Sequence, residues 1–428
     1  MIRYIRRSVG VSGLPPGIAE RLLGDLEKAG FSPFLLSIRR FVAERAGVGL
    51  DSTIFDIDPD AGVRRPSIYT RYQARRRGEG DVFLCGKGAL AYLIIRRGEK
   101  GRTSFHLGVA AHDEGAESIL SSLRENLRNS LGQLAGRQLR LRWKDPAASP
   151  DPRFATLSEG QRPDRIKKAS SAAHVLSSAD IRRQVIKLKS TRGILLNDMR
   201  DDPAMADVVA GIDDLLSAEL LEKHYVLVCG RRGNVISHFQ DISQYERVIE
   251  VNPRCSCGAL YSEERLDEEI AVSAMCRALL DKSRWMTVLL VDTLLELGIP
   301  ASLISINYES EGDEIDVFAS IVGNLAQFEL TDGEFSHGHA YKMTAKIVRY
   351  QPQLAITVST GRVDDQARRF LSAPGSEVKI LHIEGLEKLK AELEGLMSEL
   401  NRAALLIPLR QLLPRASFDL PSVAIQNL

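Results

Sequence analysis

Two acidic residues lie in strand-like surroundings. Asp316 stands between Ile315 and Val317, and Glu329 between Phe328 and Leu330; Asp is depleted in strands. Period-two alternation puts Glu314, Asp316 and Phe318 on one face of a strand, and Gln327, Glu329 and Thr331 on one face of the next. The carboxylates of Asp316 and Glu329 can then converge on one ion. Hard cations such as Mg²⁺ take oxygen ligands, and a bound divalent ion polarises a phosphate and acidifies a water. Two exposed carboxylates on a strand are the plainer alternative. Lys342 and Lys346 are four residues apart, on one face of a following helix. Solvated surface lysines would have the same spacing.

A second set of reactive side chains is sulfur. Cys229 opens Cys-Gly-Arg-Arg-Gly, and Cys255 and Cys257 lie in Cys-Ser-Cys-Gly. A zinc ribbon brings two short cysteine turns together so that four ligands surround the ion tetrahedrally. Arg232 stands where the first turn needs its second cysteine, and a cation cannot be a ligand, so a four-cysteine site is ruled out. His224 or His238 would have to supply the fourth group. The expectation is a ribbon that has lost its metal, with less than one zinc per chain. His337 and His339 near the acidic pair suit either a metal or a polar loop. No nucleophile elbow surrounds Ser12 or Ser359.

These residues need elements to hold them. A chain of 428 residues at about 150 per domain gives two to four domains. The pattern predicts a multidomain α/β protein with an N-terminal α+β domain, a winged-helix-like and ribbon-like middle, and a C-terminal mixed-sheet domain. Residues 1–144 are the basic α+β domain, with helices at 17–28, 37–46 and 116–134 and strands at 81–84, 88–96 and 103–111. Pro146, Pro150, Pro152 and Pro163 mark a linker over 145–175. Over 176–228, three short helical stripes (Ile181, Val185, Leu188; Ile194, Leu195, Met199; Val208, Val209, Ile212, Leu215, Leu216) and a strand at 225–229 resemble a winged helix. Its third helix, 204–216, carries Asp207, Asp213 and Asp214 and no Lys or Arg. That suits packing or dimerisation, and so a homo-oligomer, better than groove reading. The ribbon-like segment is 229–262. In 263–428, a helical stripe at Ile270, Val272, Met275 and Leu279 precedes a helix at 285–297 and strands at 302–308, 314–319 and 325–330. A helix at 339–348, a strand at 354–358 apolar enough for burial on both faces, a helix at 364–371 and a strand at 378–382 follow. Leu386, Leu389, Leu393, Leu396 and Leu400 then predict a final helix covering one face of that sheet.

The αβββαβ order, with Asp-Glu-Ile-Asp-Val at 313–317 and Phe-Glu-Leu-Thr-Asp at 328–332, resembles the PD-(D/E)XK nuclease superfamily. Its Mrr-like and CRISPR-ancillary restriction-endonuclease-like branches are the nearest, over about 110 residues from Trp285 to about Leu396. In that family an acid ends one strand, and an E-x-K tripeptide on the neighbouring strand adds a second acid and a lysine. The resemblance implies a restriction-endonuclease-like C-terminal domain, Mg²⁺ held by Asp316 and Glu329, and a phosphodiesterase acting on DNA in a bacterial defence or genome-conflict system. Thr331 stands where the lysine should be, and Met286 and Thr287 follow Trp285 where the family often offers another acid. The lysine migrates between elements in this superfamily, which makes Lys342 or Lys346 the implied catalytic cation. A degenerate site would instead imply a non-enzymatic scaffold or sensor. Residues 83–111 more faintly resemble the β-rich segment that leads HerA/FtsK-type DNA-translocating ATPases. No G-x-x-x-x-G-K-S/T loop occurs, so the implied relation is partnership with such a motor.

The net charge of +1 conceals an asymmetry. Residues 1–200 carry 36 Lys+Arg against 21 Asp+Glu, and residues 201–428 carry 21 against 35. A basic half suits an anionic partner, with nucleic acid and above all DNA the common one; mutual steering of two opposite halves would need the same charges. No uncharged apolar run approaches the roughly 18 residues of a spanning helix, since 285–299 is interrupted by Asp292 and Glu296. The basic start has no apolar stretch behind it, and five scattered cysteines fit a reducing compartment. The expectation is a cytoplasmic protein without membrane contact.

Overall fold

The structure is a computed structural model that describes residues 2–15, 18–37, 79–86, 88–98, 102–112, 115–145, 153–154, 169–191, 193–310, 313–372 and 378–412. The chain is mixed α/β, with three sheets among these residues. It divides into two compact units: Met1–Pro152 with Ile321–Asn324 and Ala391–Leu428, and Arg153–Ser320 with Leu325–Lys390. The four prolines expected to mark a linker, and most of the helix expected at 37–46, lie outside the described residues. No helix among the described residues is long and apolar enough to cross a membrane.

The first unit opens with β1 (Ile2–Ser12), α1 (Ile18–Lys28), β2 (Glu79–Leu84), β3 (Ala89–Arg97), β4 (Arg102–His112) and α2 (Gly115–Ala135). Strand β1 was not expected, because Arg3, Arg6 and Arg7 interrupt its apolar pattern. It pairs with β4 from Ile2↔His112 to Ser12↔Arg102. The sheet runs β1-β4-β3-β2, antiparallel throughout. Alternation sends Phe83, Leu93, Phe105, Leu107 and Val109 into one core with the leucines of α1 and α2. Ile2, Val82, Leu90, Tyr92 and Ile94 enter a second core. A Cβ on Gly108 would stand 2.3 Å from the Tyr92 ring, so only glycine leaves that ring its place, with the Tyr92 hydroxyl 2.6 Å from that of Tyr4. Buried Asp81 is satisfied by the N–H groups of Leu35, Leu36 and Val82 at 2.7, 2.8 and 2.7 Å.

The second unit contains α3 (Ser170–Leu176), α4 (Ala179–Lys189), β5 (Ile194–Leu195), α5 (Leu196–Asp201), α6 (Ala206–Ala210), α7 (Ile212–Ser217), β6 (Leu221–Val228), β7 (Val235–Phe239), α8 (Ile242–Ile249) and β8 (Arg265–Val272). Its first sheet runs β5-β8-β6-β7 with antiparallel pairs. The single helix expected at 204–216 is broken at Gly211 into α6 and α7, as suits a residue that costs about 1 kcal/mol relative to Ala inside a helix. Ile194 and Leu195 form β5 rather than a helical stripe. Ile270 and Val272, also expected to be helical, lie on β8, because their spacing of two is a strand period. Helix α9 (Ala274–Leu280) begins only after Ser273, whose Oγ accepts the Cys276 N–H at 3.0 Å.

Then come α10 (Arg284–Glu296), β9 (Ile304–Ser310), β10 (Asp313–Ile321), β11 (Asn324–Thr331), α11 (His337–Tyr350), β12 (Leu354–Ser359), α12 (Asp365–Leu371) and β13 (Lys379–Glu384). This sheet runs β13-β12-β11-β10-β9. Strands β9 and β10 are antiparallel, whereas β11, β12 and β13 are parallel. Strand β12 is buried along its whole length, as a covered parallel strand should be. Val322 and Gly323, with φ of 51° and 79°, make the tight turn from β10 to β11.

The last helix, α13 (Leu389–Leu412), departs from expectation. Its Leu405, Leu409 and Leu412 join the core of Ile2, Val82, Leu90 and Ile94, and the Asn401 side-chain amide donates to the Ile2 carbonyl at 2.9 Å. From Ala391 onward this helix belongs to the first unit. The physical reason is that the first sheet is apolar on both faces, and α1 and α2 cover only one.

Candidate active site

Strand β11 and helix α11 wall a cavity of about 300 Å³, lined by Glu329, Thr331, Asp332, His339, Lys342 and Lys346 among others. Of the acids and lysines singled out from sequence, Glu329, Lys342 and Lys346 line it, and Asp316 does not. Lys346 Nζ donates to Glu329 Oε1, with the two side chains only 11% and 17% exposed. Lys342, one turn earlier on α11, also lines the cavity. Asp316 reaches across from β10, where its Oδ2 accepts the Leu330 N–H at 2.8 Å. That bond seats the Asp316 carboxylate beside the residue that separates Glu329 from Thr331. The side chain of Glu314 lies outside the described residues.

Asp332, which lines the cavity, is held by residues that spacing did not reveal. Arg182 of α4 is buried and donates through Nε and Nη2 to Asp332 at 3.1 Å each. Its Nη1 donates to the carbonyls of Leu176 and Ser177 at 2.7 and 2.8 Å, and its guanidinium lies 4.3 Å from the centre of the Trp285 ring. Asp332 also accepts the Thr360 hydroxyl at 2.8 Å. No sequence rule links positions 182 and 332; a charged residue beside an apolar stripe was the only available signal.

The helix expected from His339 begins two residues earlier and takes in both histidines. Both lie in the first turn of α11 rather than in a loop. His339 Nδ1 is 3.0 Å from the Ser336 nitrogen and 3.1 Å from its Oγ, closing the helix start. Burial, and then the charge of Lys342, hold the His339 pKa below its ordinary value. His337 packs edge-on against Phe370 at 5.1 Å. Gln327, two residues before Glu329, is 0% exposed, and neither atom of its amide finds a hydrogen-bond partner among the described residues.

The sulfur residues gather elsewhere in the same unit. The thiols of Cys229, Cys255 and Cys257 and a carboxylate oxygen of Glu264 all lie within 4.8 Å of one another. The histidines expected as substitute ligands are not among them: His224 faces Glu222 at 3.4 Å, and His238 faces Glu269 at 3.5 Å. Glu264 was missed because it lies seven residues beyond Cys257, outside any short cysteine motif.

In the first unit a wide cleft of about 1040 Å³ is lined by Arg124, Arg128, Arg137, Arg140 and Trp143, among others. The Arg124 guanidinium stands 5.4 Å from the Trp143 ring. Part of the basic excess of residues 1–200 is thus concentrated beside an aromatic face.

No protein-family model matches the chain, and no curated protein matches it. Among solved structures, the crystal structure of protein VC1899 from Vibrio cholerae is similar at 12% identity and a TM-score of 0.32. The match covers 61% of this chain and 66% of that one, less than two thirds of its length. A likeness this loose fixes neither fold nor activity.

Proposed function

We propose that the second unit is a metal-dependent phosphodiesterase of the PD-(D/E)XK kind, acting on DNA. The observation that carries this is the Lys346–Glu329 pair at the cavity, with the Asp316 carboxylate fixed on the adjoining strand. The run α10-β9-β10-β11-α11-β12 supports reading this part as a restriction-endonuclease-like domain. The β5-β8-β6 sheet order behind α4, α5, α6 and α7 supports a winged-helix-like segment with an insertion before its last strand. Asp207, Asp213 and Asp214 are exposed on its third helical stretch, which favours contact with a second copy over contact with phosphates.

Glu329 at the cavity and Asp316 on the adjoining strand both offer oxygen, which suits Mg²⁺ or Mn²⁺. When bound there, such an ion supplies polarisation of the phosphate and a more acidic water. The chain's own residues do the rest. The Leu330 N–H orients the Asp316 carboxylate. Lys346 holds Glu329 and presents an ammonium from α11 in place of the one that Thr331 lacks. Lys342 adds a second cation where negative charge develops on the phosphate. Trp143 and the arginines around it suit stacking and phosphate contact by a nucleic acid.

Two experiments test this. Full-length protein with linear, supercoiled and single-stranded DNA should cleave in Mg²⁺ or Mn²⁺ and lose cleavage in Asp316→Ala and Glu329→Gln. Inert wild-type protein, with no calorimetric ion binding that these variants remove, would leave a non-enzymatic scaffold, such as one beside a DNA-translocating ATPase. Separately, Arg128→Ala with Arg140→Ala should weaken DNA binding and flatten its logarithmic salt dependence by about two. Unchanged affinity and slope would remove the cleft from the proposal.

A further inference from the structure

We infer that Cys229, Cys255, Cys257 and Glu264 form a structural zinc site in which Glu264 is the fourth ligand. Zn–S bonds of about 2.3 Å in a tetrahedron set ligand atoms about 3.8 Å apart. The four groups all lie within 4.8 Å of one another, with Cys257 Sγ already 3.0 Å from Glu264 Oε1, a range that brackets that spacing. Three sulfurs and one oxygen are a soft donor set that suits zinc and not magnesium. Four protein ligands fill the tetrahedron, which marks a structural centre rather than a catalytic one.

The backbone around the sulfurs is built for this. Cys229 N–H bonds the Asn234 carbonyl at 2.9 Å, and the Gly233 N–H returns to the Cys229 carbonyl at 2.7 Å. Cys255 N–H bonds the Ala259 carbonyl at 2.8 Å, and the Gly258 N–H returns to the Cys255 carbonyl at 2.8 Å. Each turn closes on a glycine of positive φ, 69° at Gly233 and 95° at Gly258. The two turns are therefore near-copies of one device.

Charge makes the same case. Glu264 is 9% exposed, and it accepts the Gly230 N–H at 2.6 Å and the Cys257 thiol at 3.0 Å. No Lys, Arg or His pairs with it among the described residues. A shielded carboxylate facing three thiols calls for a cation. Three thiolates, one carboxylate and Zn²⁺ sum to a double negative charge, and arginines surround it. Arg231 donates to the Cys257 carbonyl at 3.4 Å, Arg232 to Ser256 Oγ at 3.3 Å and Arg254 to the Gly258 carbonyl at 2.9 Å. Arg232, whose position seemed to abolish the site, thus ties one turn to the other and offsets its charge.

The test uses reduced, metal-stripped full-length protein titrated with Zn²⁺ and with Co²⁺. The expected result is one metal per chain, with Co²⁺ giving intense tetrahedral d–d bands and thiolate charge transfer. Glu264→Gln should lower zinc affinity at least about tenfold, the low end of the cost of losing even an outer-shell partner. His224→Ala and His238→Ala should bind as wild type. No stoichiometric binding, an octahedral cobalt spectrum without thiolate bands, or wild-type affinity in Glu264→Gln would overturn the assignment. The wild-type cobalt titration decides even where a variant fails to fold.

Discussion

The cavity beside β11 and the thiol cluster at the end of β6 assemble their side chains in opposite ways. Asp316, Glu329, Lys342 and Lys346 stand on regular elements, two strands and one helix, where spacing alone sets which residues share a face. Cys229, Cys255, Cys257 and Glu264 stand on turns and at the edge of a strand, where single hydrogen bonds and positive-φ glycines set position. On regular structure a neighbouring element can bring a like side chain to the same place, and α11 brings Lys346 to Glu329 although Thr331 lacks an ammonium. On turns a group joins the cluster only where the chain happens to return, as it does at Glu264. The two also differ in chemistry: oxygen and ammonium at the first, sulfur at the second.

That contrast can be broken by separating the two metals. Zinc restored to stripped protein at a hundredfold excess over its Kd should stabilise the fold by about 2.7 kcal/mol, read as a rise in melting temperature. Mg²⁺ at the same concentration as the zinc should not substitute for it, because it is a poor match for sulfur ligands. Equal stabilisation by both ions, or by neither, would erase the distinction between the sites.

The next effect concerns the cavity's support. Arg182→Ala removes the guanidinium from Asp332 and from the face of Trp285. Because Asp332 is 28% exposed, the expected loss is about 2 kcal/mol, below the 3–5 kcal/mol of a fully buried pair. Denaturant unfolding measures it, and a loss under about 0.5 kcal/mol would make the pair an ordinary surface contact.

The smallest effect is at Gln327. Its buried amide has no partner among the described residues, and such a group costs about 1–3 kcal/mol. Gln327→Leu should therefore raise stability by about 1 kcal/mol. A destabilised variant would mean that the amide is satisfied in solution.

Much of the second unit was legible because its periods are clean. The bare apolar run at 354–358 identified a buried strand, and alternation around Asp316 and Glu329 placed both acids on neighbouring strands. Legibility failed where an element's faces were mixed. Strand β1 hid behind Arg3, Arg6 and Arg7, and Ile270 and Val272 looked helical because a helix begins directly after them. It failed again where partners are remote. Nothing in the order of residues joins Arg182 to Asp332, Glu264 to Cys229, or the end of α13 to Ile2. Those contacts are set by packing of whole elements, which local pattern does not encode.

The most direct test of the account is a comparison of Mn²⁺-dependent DNA cleavage by wild-type, Lys346→Ala and Thr331→Lys,Lys346→Ala proteins, each confirmed folded. The account expects wild-type cleavage, a loss on the order of a hundredfold or more in Lys346→Ala, and partial recovery when the lysine is returned to position 331. Wild-type cleavage undiminished in Lys346→Ala would contradict it, because the ammonium that meets Glu329 would then have no part in the chemistry.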